Sequence, residues 1–77
     1  MEATVEKLRE ILSQTSAKNA AFEIDETGSM REQGIDSLDL MDLYLNIEDT
    51  FNIQIPDEDV NKLSSLKDFE IYVNNKL

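Results

Sequence analysis

The sequence predicts an all-α bundle of three main helices and one short helix, and three observations lead to this fold class. Apolar residues recur at helical spacing in three separate segments of the 77-residue chain. Two of these segments follow a residue that commonly caps the start of a helix. Only residues 51–56 alternate like a strand, and the sequence offers no second strand to pair with them.

The first helix is expected over about residues 3–14, and a long loop to residue 33 follows it. The apolar side of this helix consists of Val5, Leu8, Ile11 and Leu12. The periodicity fails in the loop, where Ser, Thr, Asn, Asp and Gly accumulate. Three apolar loop residues are expected to pack onto the core, namely Ala21, Phe22 and Ile24.

A single helical turn is expected at the end of this loop. Ser29 and Glu32 have capping-box spacing, and Gly34 is able to adopt the left-handed conformation that ends such a turn. Asp36 is then the expected N-cap of the second helix, because its carboxylate can accept from the first free N–H groups. Ser37 therefore falls at the first helical position.

Ser37 is a candidate attachment point for a phosphodiester. An anion joined to its hydroxyl would lie beside the free backbone N–H groups and the positive end of the helix dipole. The serine of an arbitrary Asp-Ser-Leu tripeptide is more often just a polar residue beside a cap. Whether Ser37 is an attachment point therefore depends on the rest of the chain.

The second helix is expected over residues 37–51 and has more apolar residues than one core-facing side requires. The side expected to face the core consists of Leu40, Leu43, Tyr44, Ile47 and Phe51. A second stripe, interleaved with acids, consists of Leu38, Met41 and Leu45. An exposed apolar stripe in an acidic surface indicates a docking site for a partner; the alternative is that the stripe also belongs to the core.

The remaining helices are indicated by their start signals. Pro56 and the three acids after it predict a short third helix that ends near Leu63. Ser65 and Asp68 form another capping-box pattern, which predicts a fourth helix. Its core-facing stripe is expected to consist of Leu66, Phe69, Tyr72, Val73 and Leu77. Residues 51–56 are then an extended connector, and residues 1–77 form one domain.

Composition disfavours several classes of function. The chain has no cysteine and no histidine, which argues against disulfides, thiol chemistry and general-base catalysis near neutral pH. Its formal net charge is −10, and no base lies between Arg31 and Lys62. Nucleic acid and anionic membranes are therefore poor partners, and basic protein surfaces are good ones. The chain has no apolar run of roughly 20 residues and no signal-peptide pattern, so we expect a cytoplasmic protein without membrane insertion. We also expect it to be a monomer.

The acids of the loop do not form a convincing metal site. Asp25, Thr27, Ser29 and Asp36 fall at positions 1, 3, 5 and 12 of a calcium-loop frame. The frame fails at Met30, where a glycine is needed, and at Asp36, where a bidentate glutamate is expected. No nucleophile–base pair accompanies the acids. We therefore expect no metal site and no catalytic residue.

Residues 34–39 (Gly-Ile-Asp-Ser-Leu-Asp), the helix after them and residues 55–59 (Ile-Pro-Asp-Glu-Asp) resemble the acyl carrier proteins of the discrete, type II kind. The resemblance covers nearly the whole chain and implies that family's four-helix bundle. In that family the serine of the Asp-Ser-Leu motif carries 4′-phosphopantetheine through a phosphodiester, and the thiol of this arm holds an acyl group as a thioester. The matching residue here is Ser37, which a phosphopantetheinyl transferase would modify.

The resemblance also implies two surfaces beyond the serine. The family's second helix presents an acidic and apolar face to basic patches on acyl-transferring and chain-elongating enzymes. The matching docking residues here are Asp36, Leu38, Asp39, Met41, Asp42, Leu45, Glu48 and Asp49. The acyl chain would enter beside that helix, in a pocket among Leu43, Ile47, Phe51, Ile55, Leu63 and Leu66.

Three residues depart from the pattern of the housekeeping fatty-acid carriers. Gln33 stands where those proteins usually have Leu, Ser29 where they usually have an aromatic residue, and Glu70 at a position that is usually apolar. The pathway is therefore open between fatty-acid biosynthesis and a specialised lipid, polyketide or aminoacyl and peptidyl pathway. Two rivals from other classes are an acidic interaction module that is never modified and a small metal-binding regulator.

Overall fold

The computed structural model describes residues 2–15, 17 and 19–77, and within them the chain forms four helices and no strand. In chain order these are α1 (Val5–Leu12), α2 (Ser37–Phe51), α3 (Asp57–Val60) and α4 (Leu66–Lys76). Helix α1 packs against both α2 and α4. The all-helical fold predicted from the sequence is confirmed. Of the helices described, none is long and apolar enough to cross a membrane.

The core lies between the inner sides of the three longer helices and the segments that join them. The helices contribute Val5, Leu8, Ile11, Leu12, Leu40, Leu43, Ile47, Phe51, Leu66, Phe69 and Val73. The segments outside the helices contribute Ala3, Ala21, Ile24, Met30, Ile35 and Ile55. Burial of one large aliphatic side chain stabilises a fold by roughly 1.5–3 kcal/mol. The loop residues are therefore part of the core and not a cover laid over it.

The start of α1 is held by side chains of α4. The Glu70 Oε2 atom accepts a hydrogen bond from the Val5 N–H at 3.0 Å, and the same carboxylate pairs with Lys67 at 2.7 Å. The Asn74 amide accepts from the Ala3 N–H at 2.8 Å and donates to the Ala3 carbonyl at 3.1 Å. A carboxylate at this helix start satisfies a free N–H group and complements the dipole. Glu70, which stands at a position that is usually apolar in the housekeeping pattern, therefore has a structural role here.

The start of α4 is capped as the sequence predicts. The Ser65 Oγ atom accepts from the Asp68 N–H at 3.1 Å, and the Asp68 carboxylate accepts from the Ser65 N–H at 3.2 Å. The same carboxylate also accepts from the Ser64 N–H at 3.1 Å. The Ser64 hydrogen bond is the main reason why the pKa of Asp68 lies below its usual value.

The long loop is fastened to the bundle by hydrogen bonds to its backbone. The Arg9 guanidinium donates to the carbonyls of Ala21 and Ile24 at 3.2 and 2.9 Å. Those two residues are buried as expected, but the expectation for Phe22 is wrong because its side chain is 61% exposed. Ala21 and Ile24 both face the core, whereas the two residues between them, Phe22 and Glu23, are exposed.

Two further expectations need correction at the end of the chain. Helix α3 ends at Val60 and not near Leu63, because the N–H groups of Lys62 and Leu63 bond to carbonyls only three residues back. Leu77 was expected in the core-facing stripe of α4 but is 55% exposed, since it lies beyond the last helical residue. Tyr72 of that stripe is half-buried, and its hydroxyl donates to Asp59 of α3 at 2.7 Å.

The hydrogen bond between Tyr72 and Asp59 predicts a loss of stability at high pH. Burial and then the Asp59 carboxylate raise the pKa of Tyr72 to about 12 in the fold, against about 10 in the unfolded chain. Because the pKa is raised in the fold, the contribution of this hydrogen bond to the free energy of unfolding is complete below pH 10 and is lost as the pH rises to 12. Urea unfolding of the native chain and of Tyr72→Phe should therefore show a stability difference that is constant from pH 7 to 9 and shrinks above pH 10. A difference that stays constant to pH 12 would contradict this role of the hydroxyl.

Candidate functional site

Ser37 is the first residue of α2, and its side chain is exposed. Asp36 is the N-cap, as expected, with extended backbone angles. Its Oδ1 atom accepts from the Ser37 hydroxyl at 3.3 Å and, weakly, from the Leu38 N–H at 3.5 Å. The serine hydroxyl is thus held at the open end of the helix, where backbone N–H groups have no intrahelical partner.

The turn before Ser37 is anchored in the core at both ends. Met30 and Ile35 are buried, and the Ile35 N–H donates to the Met30 carbonyl at 3.0 Å. The predicted Ser29 cap is present, since its hydroxyl accepts from the Glu32 N–H at 3.3 Å. Gly34 has a φ of 101°, a conformation that side chains rarely permit. The chain can therefore close the turn and enter α2 directly.

The Gln33 side chain holds the preceding loop in place. Its Oε1 atom accepts from the Asp25 N–H at 2.7 Å, and its Nε2 atom donates to the carbonyls of Asp25 and Ser29 at 3.1 and 3.3 Å. The Asp25 carboxylate instead accepts from the Thr27 N–H and hydroxyl, and these hydrogen bonds lower its pKa. In the described part of the chain, no group of three or more acids could hold a metal ion.

A groove of about 300 Å³ opens beside Ser37, between the loop before α2, α2 itself and the segment around the end of α3. Its lining residues are Ser29, Arg31, Ser37, Leu40, Met41, Tyr44, Val60, Asn61, Leu63 and Ser64. A smaller cavity of about 120 Å³ continues along α2. It shares Met41, Tyr44 and Val60 with the groove and is also lined by Leu45, Glu48, Ile55 and Asp57.

Tyr44 stands between the groove and the core. Its ring lies 5.3 Å from the ring of Phe69, measured between centroids. Burial raises the pKa of Tyr44, and the positive charge of Arg31 opposes that rise. Arg31 and Tyr44 both line the groove.

The eight predicted docking residues lie outside the buried core. The stripe formed by Leu38, Met41 and Leu45 is exposed by 72%, 56% and 55%, which rules out the alternative that it belongs to the core. Glu48 differs from the other acids because its Oε2 atom accepts from the Ile55 N–H at 2.7 Å. That carboxylate holds the connector after α2 against the helix, so it has a structural role as well as a charge.

The predicted pocket residues do not lie together around one cavity. Leu63 lines the groove and Ile55 lines the smaller cavity. The other four are buried in the core, namely Leu43, Ile47, Phe51 and Leu66. Sequence reasoning missed seven residues of the groove, namely Ser29, Arg31, Leu40, Tyr44, Val60, Asn61 and Ser64. One signal was available, since Arg31 is an isolated base just before the long acidic interval.

Known proteins are similar to this chain over most of its length. Residues 6–73 match the family model described as a phosphopantetheine attachment site. The chain is 36% identical over 75 residues to an acyl carrier protein of Campylobacter hominis, and the aligned residues cover 97% of this chain and 94% of that protein. It is 37% identical over 76 residues to an acyl carrier protein of Exiguobacterium sp., which covers 99% of this chain and 86% of that protein.

Gln33→Leu is predicted to loosen the loop before Ser37, because leucine supplies none of the three hydrogen bonds of the Gln33 amide. A loss of about 1 kcal/mol corresponds to roughly five-fold faster hydrogen exchange at the Asp25 N–H, measured by NMR. Gln14→Leu, which makes the same change at an exposed glutamine in the turn after α1, is the control and should leave this rate unchanged. Equal rates in both variants would mean that Gln33 does not hold the loop.

Proposed function

Because this chain belongs to the acyl carrier protein family, we propose that it carries acyl groups on a 4′-phosphopantetheine arm attached to Ser37. Family membership implies the covalent arm itself, whose thiol supplies thioester chemistry that the cysteine-free chain lacks. The observation that carries the assignment of the residue is the exposed Ser37 hydroxyl at the start of α2 and at the edge of the groove. The free N–H groups there suit a phosphodiester.

The carrier has no catalytic residue of its own in this proposal, and residues 1–77 act as a single carrier domain. A phosphopantetheinyl transferase adds the arm, and acyl-transferring and chain-elongating enzymes of fatty-acid or related polyketide and lipid biosynthesis use it. The lack of histidine and cysteine supports a non-catalytic role. The net charge of −10 supports a monomer, because like-charged copies repel each other. Its proposed place of work is the cytoplasm. An aminoacyl or peptidyl carrier is the second candidate, since Ser29, which lines the groove, departs from the housekeeping pattern.

Ser37→Ala is predicted to abolish attachment of the arm and leave the fold intact, because the exposed hydroxyl makes only a 3.3 Å bond to Asp36. The test is intact mass after incubation with coenzyme A and a promiscuous phosphopantetheinyl transferase, followed by peptide mapping. Ser29→Ala and Ser64→Ala are matched controls, since both serines line the same groove and should still gain one arm. An unmodified native chain would favour the interaction module, and an arm on another serine would refute the site.

We propose that the exposed face of α2 is where these enzymes dock. The face combines the apolar stripe of Leu38, Met41 and Leu45 with exposed acids that include Asp42 and Asp49. No base follows in the sequence until Lys62. A basic patch on a partner would be attracted by these charges at a distance and would cover the stripe on contact.

Reversing Asp42 and Asp49 to lysine is predicted to slow modification of Ser37 by ten-fold or more, mainly through the association rate. Glu6 and Glu10 of α1 provide the matched control, because both are exposed and their reversal changes the net charge equally. The measurement is the initial rate of arm transfer against protein concentration at low and high salt; salt should slow the native chain toward the rate of the α2 variant. Equal slowing by both double variants would leave net charge, and not this face, as the determinant.

A further inference from the structure

The groove beside Ser37 differs from the rest of the surface in its charge. The chain has 17 acids, yet none of the ten residues that the structure places around the groove is acidic, and one is Arg31. The lining of the smaller cavity next to it contains acids, as most of the chain does, namely Glu48 and Asp57. An anion that enters the groove therefore meets a cation and no lining carboxylate.

The lining of the groove has an apolar part and a polar part. The apolar part consists of Leu40, Met41, Val60 and Leu63. The polar part consists of Ser29, Arg31, Asn61 and Ser64. A saturated acyl chain would cover both parts but could pair with neither the guanidinium nor the polar side chains, and covering polar groups without a partner is unfavourable. A ligand with a short methylene body and an anionic end would satisfy both parts.

Arg31 is placed along the groove and not only at the attachment point. Its carbonyl accepts from the Gly34 N–H at 3.1 Å, which holds its backbone in the turn anchored by Met30. It lines the groove together with Tyr44, which is seven residues after Ser37 and hence about 10 Å further along α2. A planar guanidinium matches a carboxylate with two parallel hydrogen bonds.

We propose that Arg31 makes this groove selective for short acyl groups that end in a carboxylate. The methylene body lies against the apolar part of the lining, and the carboxylate pairs with the Arg31 guanidinium. This inference rests on the proposed attachment of the arm to Ser37 and narrows the class of cargo. It also distinguishes an acyl carrier from an aminoacyl carrier, because the ammonium group of an aminoacyl cargo would be repelled by Arg31.

The test compares two cargoes with five carbons that differ in the terminal carboxylate. The native chain is loaded from glutaryl- or pentanoyl-coenzyme A by the transferase, the product is checked by intact mass, and the thermal midpoint is measured at pH 7 and low salt. A ligand group bound only by the folded state raises the midpoint. The glutaryl form is expected to melt roughly 4–8 °C above the pentanoyl form.

Arg31→Gln should remove this difference, and Arg31→Lys should keep part of it. Lys62→Gln is the matched control, because it removes one positive charge from the neighbouring segment without changing the lining of the groove. The difference between the two cargoes is taken within each variant, so a change in the stability of the fold itself cancels.

Three outcomes would count against the inference. Equal midpoints for the two cargoes in the native chain would overturn it and leave the carrier function standing. A glutaryl advantage that persists in Arg31→Gln, or one that Lys62→Gln removes equally, would overturn the role of Arg31. A native chain that gains no arm would overturn the proposed function and the inference with it.

Discussion

The hydrogen bond from the Met30 N–H to the Ser64 carbonyl, at 2.8 Å, is the contact on which the site depends. It joins the turn before α2 to the segment before α4, which are 34 residues apart in the chain. The Lys67 N–H donates to the Glu26 carbonyl at 2.9 Å and strengthens the same junction. Met30 itself is almost fully buried. Ser64 accepts this bond and Ser29 precedes its donor, and both serines line the groove. The junction therefore sets the distance between the two sides of the groove.

The residues that depart from the housekeeping pattern have structural roles in this fold. Gln33 holds the loop through three hydrogen bonds, and Glu70 caps the start of α1. At these positions hydrogen bonds stabilise the fold, whereas apolar contacts do so in the small core. It follows that these two residues, taken alone, are weak evidence about the pathway. The lining of the groove, where Ser29 and Arg31 lie, is a better source of evidence about the cargo.

Two neighbouring surfaces on α2 have opposite electrostatic character. The outer face carries exposed acids around the apolar stripe, whereas the groove on the other side of Met41 is lined by no acid and by one arginine. Met41 belongs to both surfaces, so a partner that covers the stripe also contacts the edge of the groove. Under the two proposals, this arrangement would separate attraction of a basic enzyme from retention of an anionic cargo within one helix.

The sequence by itself determined the features that depend on residues close together in the chain. The position of α2, the caps at Asp36 and Ser65, and the turn closed by Gly34 all rest on contacts within a few residues. For the same reason the local pattern around Ser37 is enough to place this serine at a helix start. The exposed stripe on α2 was also predicted, because one helix face already supplied enough apolar residues for the core.

Only the tertiary structure decided which residues surround the groove and which side chains turn outward. The groove brings residues 29–37 together with residues 60–64, and no local pattern states which distant segments meet. Phe22 and Leu77 look like core residues by type, but the fastening of the loop by Arg9 and the end of α4 leave them in solvent. Arg31 stood out in the sequence only as an isolated base. Its place in the lining of the groove follows from the packing of the loop against α2, because long-range contact is a property of the assembled fold.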